Sequence, residues 1–377
     1  MSVGDPRANA LGKIRQLAAE PRDLVRLWQE STGVLTETVP HYMVPCWYSL
    51  DPASLLITSH YHDGMPEFPQ EWLNGEYYAE DVNQLAQVAK SPDGLATLHE
   101  SVRDPSQSPR WRQNMEMGAD QELVLALRSK SGEVWGALGL YREPDRPMFD
   151  DGERKFLRAM APALAAGVRR ALLIGEATDP EGPDAPGLLV LTDDGIESTT
   201  PGVEHWLSQL PDGDWEKGRL PTSIQSVAAR ARRTAAFPDV PGEVAMARVL
   251  SRSGRWIVLH GAALVSTGEP RVAVIVEPAH PARIFPLLAS AYGLTDRETD
   301  LARLVLEGYS TAQIAEEFVV SPHTVQQHLK SIFEKTGVRS RRDLVGRIFF
   351  THYEPRFRDN EKRVARGKPV RGGPASP

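Results

Sequence analysis

Near the end of this 377-residue chain, four polar side chains stand at a spacing suited to one kind of chemistry. His323, Gln326, Gln327 and Lys330 follow a Ser321-Pro322 pair. That pair signals a helix start, because an N-cap Ser accepts a backbone N–H and Pro fits the first helical position. At the helical period the four share an outer face, while Val325, Leu329, Ile332 and Phe333 form a core face. Gln pairs bidentately with adenine, and Lys donates to guanine or to phosphate. Ser310, Thr311 and Thr324 carry hydroxyls suited to phosphate oxygens, contacts that position a helix without reading sequence. The chemistry predicted is recognition of a nucleic-acid groove.

The elements around these residues are legible. Thr295 with Glu298 three residues on forms a capping-box pattern, and Leu301, Leu304 and Val305 make a buried stripe that stops at Gly308. Ser310 caps a short helix, Thr311 to Glu317, whose Ile314 and small Ala315 point inward where two helices cross. A fourth helix, Arg341 to Phe350, carries Leu344, Val345 and Ile348. Helix, tight turn and a second helix with a polar outer face is the form of a helix-turn-helix.

Leu294, Thr295, Arg297, Glu298, Gly308, Ile314, Ala315, Ser321, Thr324, Val325, His328, Ile332, Lys335, Gly337, Val338 and Arg341 carry a resemblance. In their spacing the segment resembles the LuxR-type (NarL/FixJ-like) helix-turn-helix of bacterial transcription factors. The resemblance implies an all-α four-helix domain over 290–350 whose third helix enters the major groove of double-stranded DNA. It implies that Gln326, Gln327 and Lys330 face the bases; together with Ser310, Thr311, Ser321, His323, Thr324 and Lys335 these are the residues expected at the DNA, and the resemblance further implies a homodimer paired through the fourth helix, where Leu344, Val345 and Ile348 are the expected contacts. Gln326 stands where the family commonly has Lys or Arg, so one phosphate charge is missing and a shallower salt dependence is expected.

Charge is segregated along the chain. The whole carries −7, residues 294–350 balance eight acidic against eight basic side chains, and residues 351–377 carry +4, which leaves −11 for residues 1–293. An acidic region followed by a neutral-to-basic reader is the resulting picture. The tail at 351–377 reads as a basic disordered segment.

Upstream, the order is α+β. A helix over Asn9 to Ser31, interrupted at Pro21, precedes strands at Tyr42 to Leu50 and Leu55 to Tyr61. A loop and a helix around Asp81 to Lys90, a strand at Leu95 to His99 and a helix at Arg110 to Gly118 follow. Then come a hairpin, Glu122 to Arg128 with Val134 to Tyr141, and a long amphipathic helix, Asp150 to Ile174, containing Pro162. This order resembles the GAF family of sensory domains, here residues 1–176 with flanking helices. Beyond a linker at 177–186, residues 187–282 resemble a PAS-like sensor: a strand, helices at Gly202 to Leu210 and Pro221 to Thr234, then strands at Ala247 to Leu250, Trp256 to Leu264 and Arg271 to Val276. The expected whole is an α+β multidomain regulator, with GAF-like and PAS-like domains ahead of the all-α reader. Its implied partner is a small-molecule ligand or a protein at the GAF-like domain; the alternative is a ligand-independent regulator whose sensor-like domains serve only protein–protein interaction.

Other groups carry less. His60 and His62 alternate on one strand, but without an identifiable third ligand they predict no metal site. Cys46 reads as a buried inert thiol and, being the single cysteine, excludes an internal disulfide. Trp47, Tyr48, Trp72, Tyr77 and Tyr78 are suited equally to lining a ligand pocket and to filling a core. There is no Gly-rich phosphate loop, and Asp51 is too isolated for a phosphoacceptor site. No nucleophile–base or paired-carboxylate pattern points to an enzyme, and no cofactor is implied. No apolar run approaches the roughly 20 residues needed to span a bilayer, and Met1 to Ala10 lacks a signal-peptide core, so the expected location is the cytoplasm.

Overall fold

The computed structural model describes residues 6–62, 70–78, 80–173, 186–238, 244–264, 269–279 and 281–352. The expected linker, except residue 186, and the tail beyond residue 352 lie outside them. Two compact units form, one around two antiparallel sheets and one around the C-terminal helices. Among the described residues no helix is long and apolar enough to cross a membrane.

Helices α1 (Pro6–Ala19) and α2 (Leu24–Thr38) stand on either side of Pro21, which has no N–H to continue a helix. Asp23 restarts it by accepting the Arg26 N–H at 2.9 Å. Then follow β1 (Cys46–Leu50), β2 (Ile57–Tyr61), α3 (Gln70–Tyr77), α4 (Leu85–Lys90), β3 (Leu95–Thr97), α5 (Leu98–Ser101), α6 (Pro109–Glu116), β4 (Gln121–Arg128), β5 (Val134–Arg142) and α7 (Asp151–Ala171). The strands order as β2-β1-β5-β4-β3, with Glu122 opposite Tyr141 in the β4–β5 hairpin. Successive strand residues face opposite sides. Trp47 accordingly stacks on Trp28 of α2 at 4.8 Å, and its neighbour Tyr48 stacks on Trp72 of α3 at 5.7 Å. With both faces covered, every residue of β1 and β5 is buried.

Asp150 and Glu153 form a reciprocal capping box at the start of α7. Its stripe Phe156, Met160, Leu164 and Val168 is buried. Gly167 marks the closest helix approach, since a Cβ there would lie 2.9 Å from Leu27 and 3.2 Å from Ala18.

The second half of this unit contains β6 (Gly187–Thr192), β7 (Gly195–Thr199), α8 (Val203–Gln209), α9 (Thr222–Ala236), β8 (Met246–Leu250), β9 (Trp256–Leu264) and β10 (Arg271–Pro278). The sheet order is β7-β6-β10-β9-β8. Counted within each half, both sheets therefore run 2-1-5-4-3. β7 occupies the place where the sequence predicts only a turn. One apolar core continues through both halves, with Tyr48, Leu56 and Trp72 joined to Leu189, Val227 and Val274. Buried Asp51 accepts from Arg248 at Nε (2.9 Å), at Nη2 (2.6 Å) and at its backbone N–H (2.9 Å), pinning β8 to the first half.

The other unit comprises α10 (Pro281–Ala291), α11 (Asp296–Leu306), α12 (Thr311–Glu317), α13 (Pro322–Thr336) and α14 (Arg341–His352). Its core gathers Phe285 and Ala289 of α10 with Leu301, Val305, Ile314, Val325, Leu329 and Ile332. Helix α10 is an addition to the four helices expected.

Candidate nucleic-acid interface

Local chemistry sets each helix end. Thr295 Oγ1 accepts the Glu298 N–H at 3.3 Å, and Glu298 Oε2 accepts the Thr295 N–H at 2.7 Å. Ser310 and Gln313 form the same reciprocal pair on α12. Ser321 accepts the Thr324 N–H at 3.1 Å with Pro322 at the first helical position, and Gly337 ends α13 at φ 69°, a conformation open to glycine.

This geometry sets which side of α13 is free. Val325, Leu329 and Ile332 are buried, and His323, Gln326, Gln327 and Lys330 are exposed. Gln327 Nε2 lies 3.2 Å from His323 Nε2, so these two side chains are mutually oriented on the open face. Ser310 and Ser321 are exposed, while Thr311 and Thr324 are partly buried.

Three further site residues prove to be used within the protomer. Lys335 donates to Glu298 Oε2 at 2.6 Å, and Ser331 donates to Glu298 Oε1 at 2.6 Å, tying α13 to the start of α11. Burial pushes the Glu298 carboxyl up, but hydrogen bonds from Lys335, Ser331 and the Thr295 N–H outweigh it and bring the pKa down to about 2. Lys335, expected at the DNA, is thus held in an ion pair. Leu344 and Ile348, expected in a dimer contact, are 0% and 2% exposed inside the protomer's own core; Val345 is half-buried.

Residues 293–347 match the family described as bacterial regulatory proteins, luxR family. The chain ends in a LuxR-family helix-turn-helix domain. Over 52 residues it is 50% identical to proteins named HTH-type transcriptional regulators in Mycobacterium bovis and Mycobacterium tuberculosis. The match covers 14% of this chain and 6% of each relative. Among solved structures, SdiA of Escherichia coli aligns over 92% of this chain and 96% of its own at 12% identity and a TM-score of 0.31. Reduced fRMsr of Staphylococcus aureus aligns over 43% of this chain and 94% of its own at 13% identity, also with a TM-score of 0.31.

Ahead of the LuxR-family domain, the aromatic set divides. Trp47 faces α2 and Tyr48 faces α3, so the five residues do not line one space. Tyr77 accepts the Ile57 N–H at its hydroxyl, at 2.9 Å, and Tyr78 is 41% exposed. Between the first sheet and α3 and α6 lies a buried polar cluster that the sequence does not reveal. Arg110 donates from Nε to Glu122 at 2.6 Å and from Nη1 to Glu76 at 3.0 Å. Its guanidinium sits 5.2 Å from the Trp72 ring. One guanidinium faces two carboxylates, and burial pushes Glu76 up to about 7 against the attraction of Arg110. One turn along α6, Asn114 is fully buried and neither its amide nitrogen nor its oxygen has a partner.

The remaining candidates are structural. His60 Nδ1 lies 3.1 Å from Asp212 and 2.7 Å from Thr222, and its ring stacks on His62. No group of three His, Cys, Asp or Glu side chains arranged to hold a metal occurs among the described residues. Cys46 is buried, which pushes its thiol up to about 12. Separately, a cavity of about 520 Å³ opens beside Pro40, His41, Tyr42, Arg146 and Met148.

Proposed function

We propose that this protein is a transcription regulator, without catalytic activity, that binds double-stranded DNA as a homodimer under the control of its N-terminal unit. The observation that carries the reading is the exposed row His323, Gln326, Gln327 and Lys330 on a capped helix of a LuxR-family domain. In this reading α13 enters the major groove, the two Gln side chains read base edges and Ser310, Thr311, Ser321 and Thr324 hold phosphates. Lys335 acts indirectly, through Glu298. Dimerisation through α14 draws on Val345 and the exposed Arg342 and Asp343, since Leu344 and Ile348 are committed inside the protomer.

The N-terminal unit is read as a GAF-like half and a PAS-like half, operating in the cytoplasm. Control by a small molecule is supported by Asn114 and its charged neighbours, because a buried carboxamide without partners is costly unless another molecule satisfies it. A signal bound there shifts the protein between two arrangements of its dimer, provided that it binds one better than the other.

Selection of duplexes from a random pool, followed by affinity measurements against salt, tests the DNA reading. Lys330→Ala is expected to weaken the selected duplex at least about tenfold and to flatten the salt slope by about one. Absence of sequence-preferring, salt-sensitive binding by the parent protein overturns the reading. Mass spectrometry of the purified protein for a retained small molecule tests the control.

A further inference from the structure

Val319, in the turn between α12 and α13, is 91% exposed, more than any other large apolar side chain among the described residues. It also has φ 54°, in the left-handed region. Leu55, Asn83 and Asp145 share that region among the described non-glycine residues, so Val319 is the β-branched member of the set. A β-branched residue is a genuine outlier there, because its Cβ substituents crowd the backbone.

The neighbours impose this conformation. Arg297 of α11 lies 3.8 Å from the Phe318 ring and donates to the Phe318 carbonyl at 3.1 Å. Val319 donates to the Glu316 carbonyl at 3.1 Å, and Val320 donates to the Ala315 carbonyl at 2.9 Å. The turn is held on both sides, and Val319 has no freedom to relax toward an extended backbone. Inside the protomer the side chain gains no packing for the strain it carries. Glycine would adopt the same backbone without strain, so fold stability alone does not account for a valine.

Its position says what does. Val319 stands two residues before Ser321, the N-cap of α13, on the end of the helix that begins Ser321, Pro322, His323, all exposed. We propose that Val319 is a DNA contact, pressing its isopropyl group on apolar DNA surface, a thymine methyl or a deoxyribose, beside the recognition helix. The inference rests on the DNA-binding reading above and adds an apolar contact to its polar ones. Thymine is the base that presents a methyl group in the major groove. Arg297 is then a positioning residue, acting through Phe318.

The test uses the full chain, a duplex selected by the parent protein and the same duplex with thymine replaced by deoxyuridine. Val319→Gly is expected to raise the thermal midpoint while weakening the thymine duplex by roughly four- to fifteenfold, as loss of one or two methyl-sized contacts requires. Val319→Thr keeps the β-branch and replaces one methyl by hydroxyl, so it should weaken binding with the midpoint unchanged. If the parent loses affinity on deoxyuridine and Val319→Gly loses little more, the contact is a thymine methyl. If Val319→Gly weakens both duplexes equally, the contact is a deoxyribose. Val319→Gly and Val319→Thr that bind every duplex as tightly as the parent overturn the inference while leaving the DNA reading intact. A parent that binds no duplex selectively defeats the DNA reading and this inference with it.

Discussion

In the first half of the sheet-bearing unit, the buried arginines Arg110 and Arg142 are satisfied at home. Arg110 reaches Glu76 and Glu122, and Arg142 reaches Glu153 at 2.7 Å. In the second half, which repeats the strand order 2-1-5-4-3, the two buried cations among the described residues reach the first half instead: Arg248 binds Asp51, and Arg230 lies 5.6 Å from the ring of Tyr77. Both partners belong to the first half. One topology thus carries two uses of buried charge, an enclosed polar cluster in one half and a fastening in the other. Beside the enclosed cluster Asn114 keeps an amide without a partner, whereas a fastening has its hydrogen-bonding groups consumed by the fold.

The strongest way to break this contrast is Arg110→Ala. It leaves Glu76 and Glu122 facing each other without a cation, both side chains 0% exposed. Removing one partner of a buried ionic group costs about 3–5 kcal/mol, because the remaining charge has neither water nor a counter-ion. Urea unfolding of the full chain reads this directly. A loss no greater than that of an exposed ion pair would show that the cluster is loosely held, and the two halves would then differ only in decoration.

A second variant sharpens what the cluster holds. Burial raises Glu76 from 4.5 to about 7, so the folded protein retains a proton that the unfolded chain releases. Stability from this group is therefore full below about pH 4.5 and declines as pH rises through 7. Glu76→Gln keeps an oxygen for the Leu85 N–H and stays neutral throughout. Near pH 5 it should match the parent. By pH 8 it should be more stable by on the order of 3 kcal/mol, the equivalent of the shift from 4.5 to about 7. A difference between the parent and Glu76→Gln that instead stays flat from pH 5 to 8 would mean that Arg110 holds Glu76 ionised and that the cluster carries net negative charge.

What was readable in the sequence is what depends on near neighbours. The caps at Thr295, Ser310 and Ser321, and the outward face of α13, follow from residues three or four apart, and the structure places them so. Helix α3 falls in a segment whose sequence has the character of a loop, because its eight residues include Gly75 and its apolar side chains are few. Strand β7 is an edge strand with Glu197, Ser198 and Thr199 exposed, and so lacks the buried alternation that marks a strand. Helix α10 contains Pro286, which reads as a break. Long-range partners were not readable at all. Lys335 meets Glu298 across 37 residues, and Arg248 meets Asp51 across 197. The same limit hid the cluster, whose members Glu76, Arg110 and Glu122 come from a loop-like segment, a short helix and a strand.

The smallest expected effect lies on the outer edge of the second sheet. Arg271 of β10 reaches across β6 to Glu197 of β7, with Nε 2.9 Å from the carboxylate, so on distance alone it resembles the Arg110 contacts. Its surroundings differ, since the two side chains are 36% and 37% exposed. Water solvates both charges when the pair opens, and salt screens the attraction when it is closed. Arg271→Ala should therefore leave the urea midpoint unchanged within error at physiological salt, and any difference seen at low salt should vanish as salt is added. A clear loss of stability that persists in high salt would mean that the edge of the second sheet depends on its charges as the first half does, and the contrast between a cluster and a fastening would have to be redrawn around exposure-independent pairing.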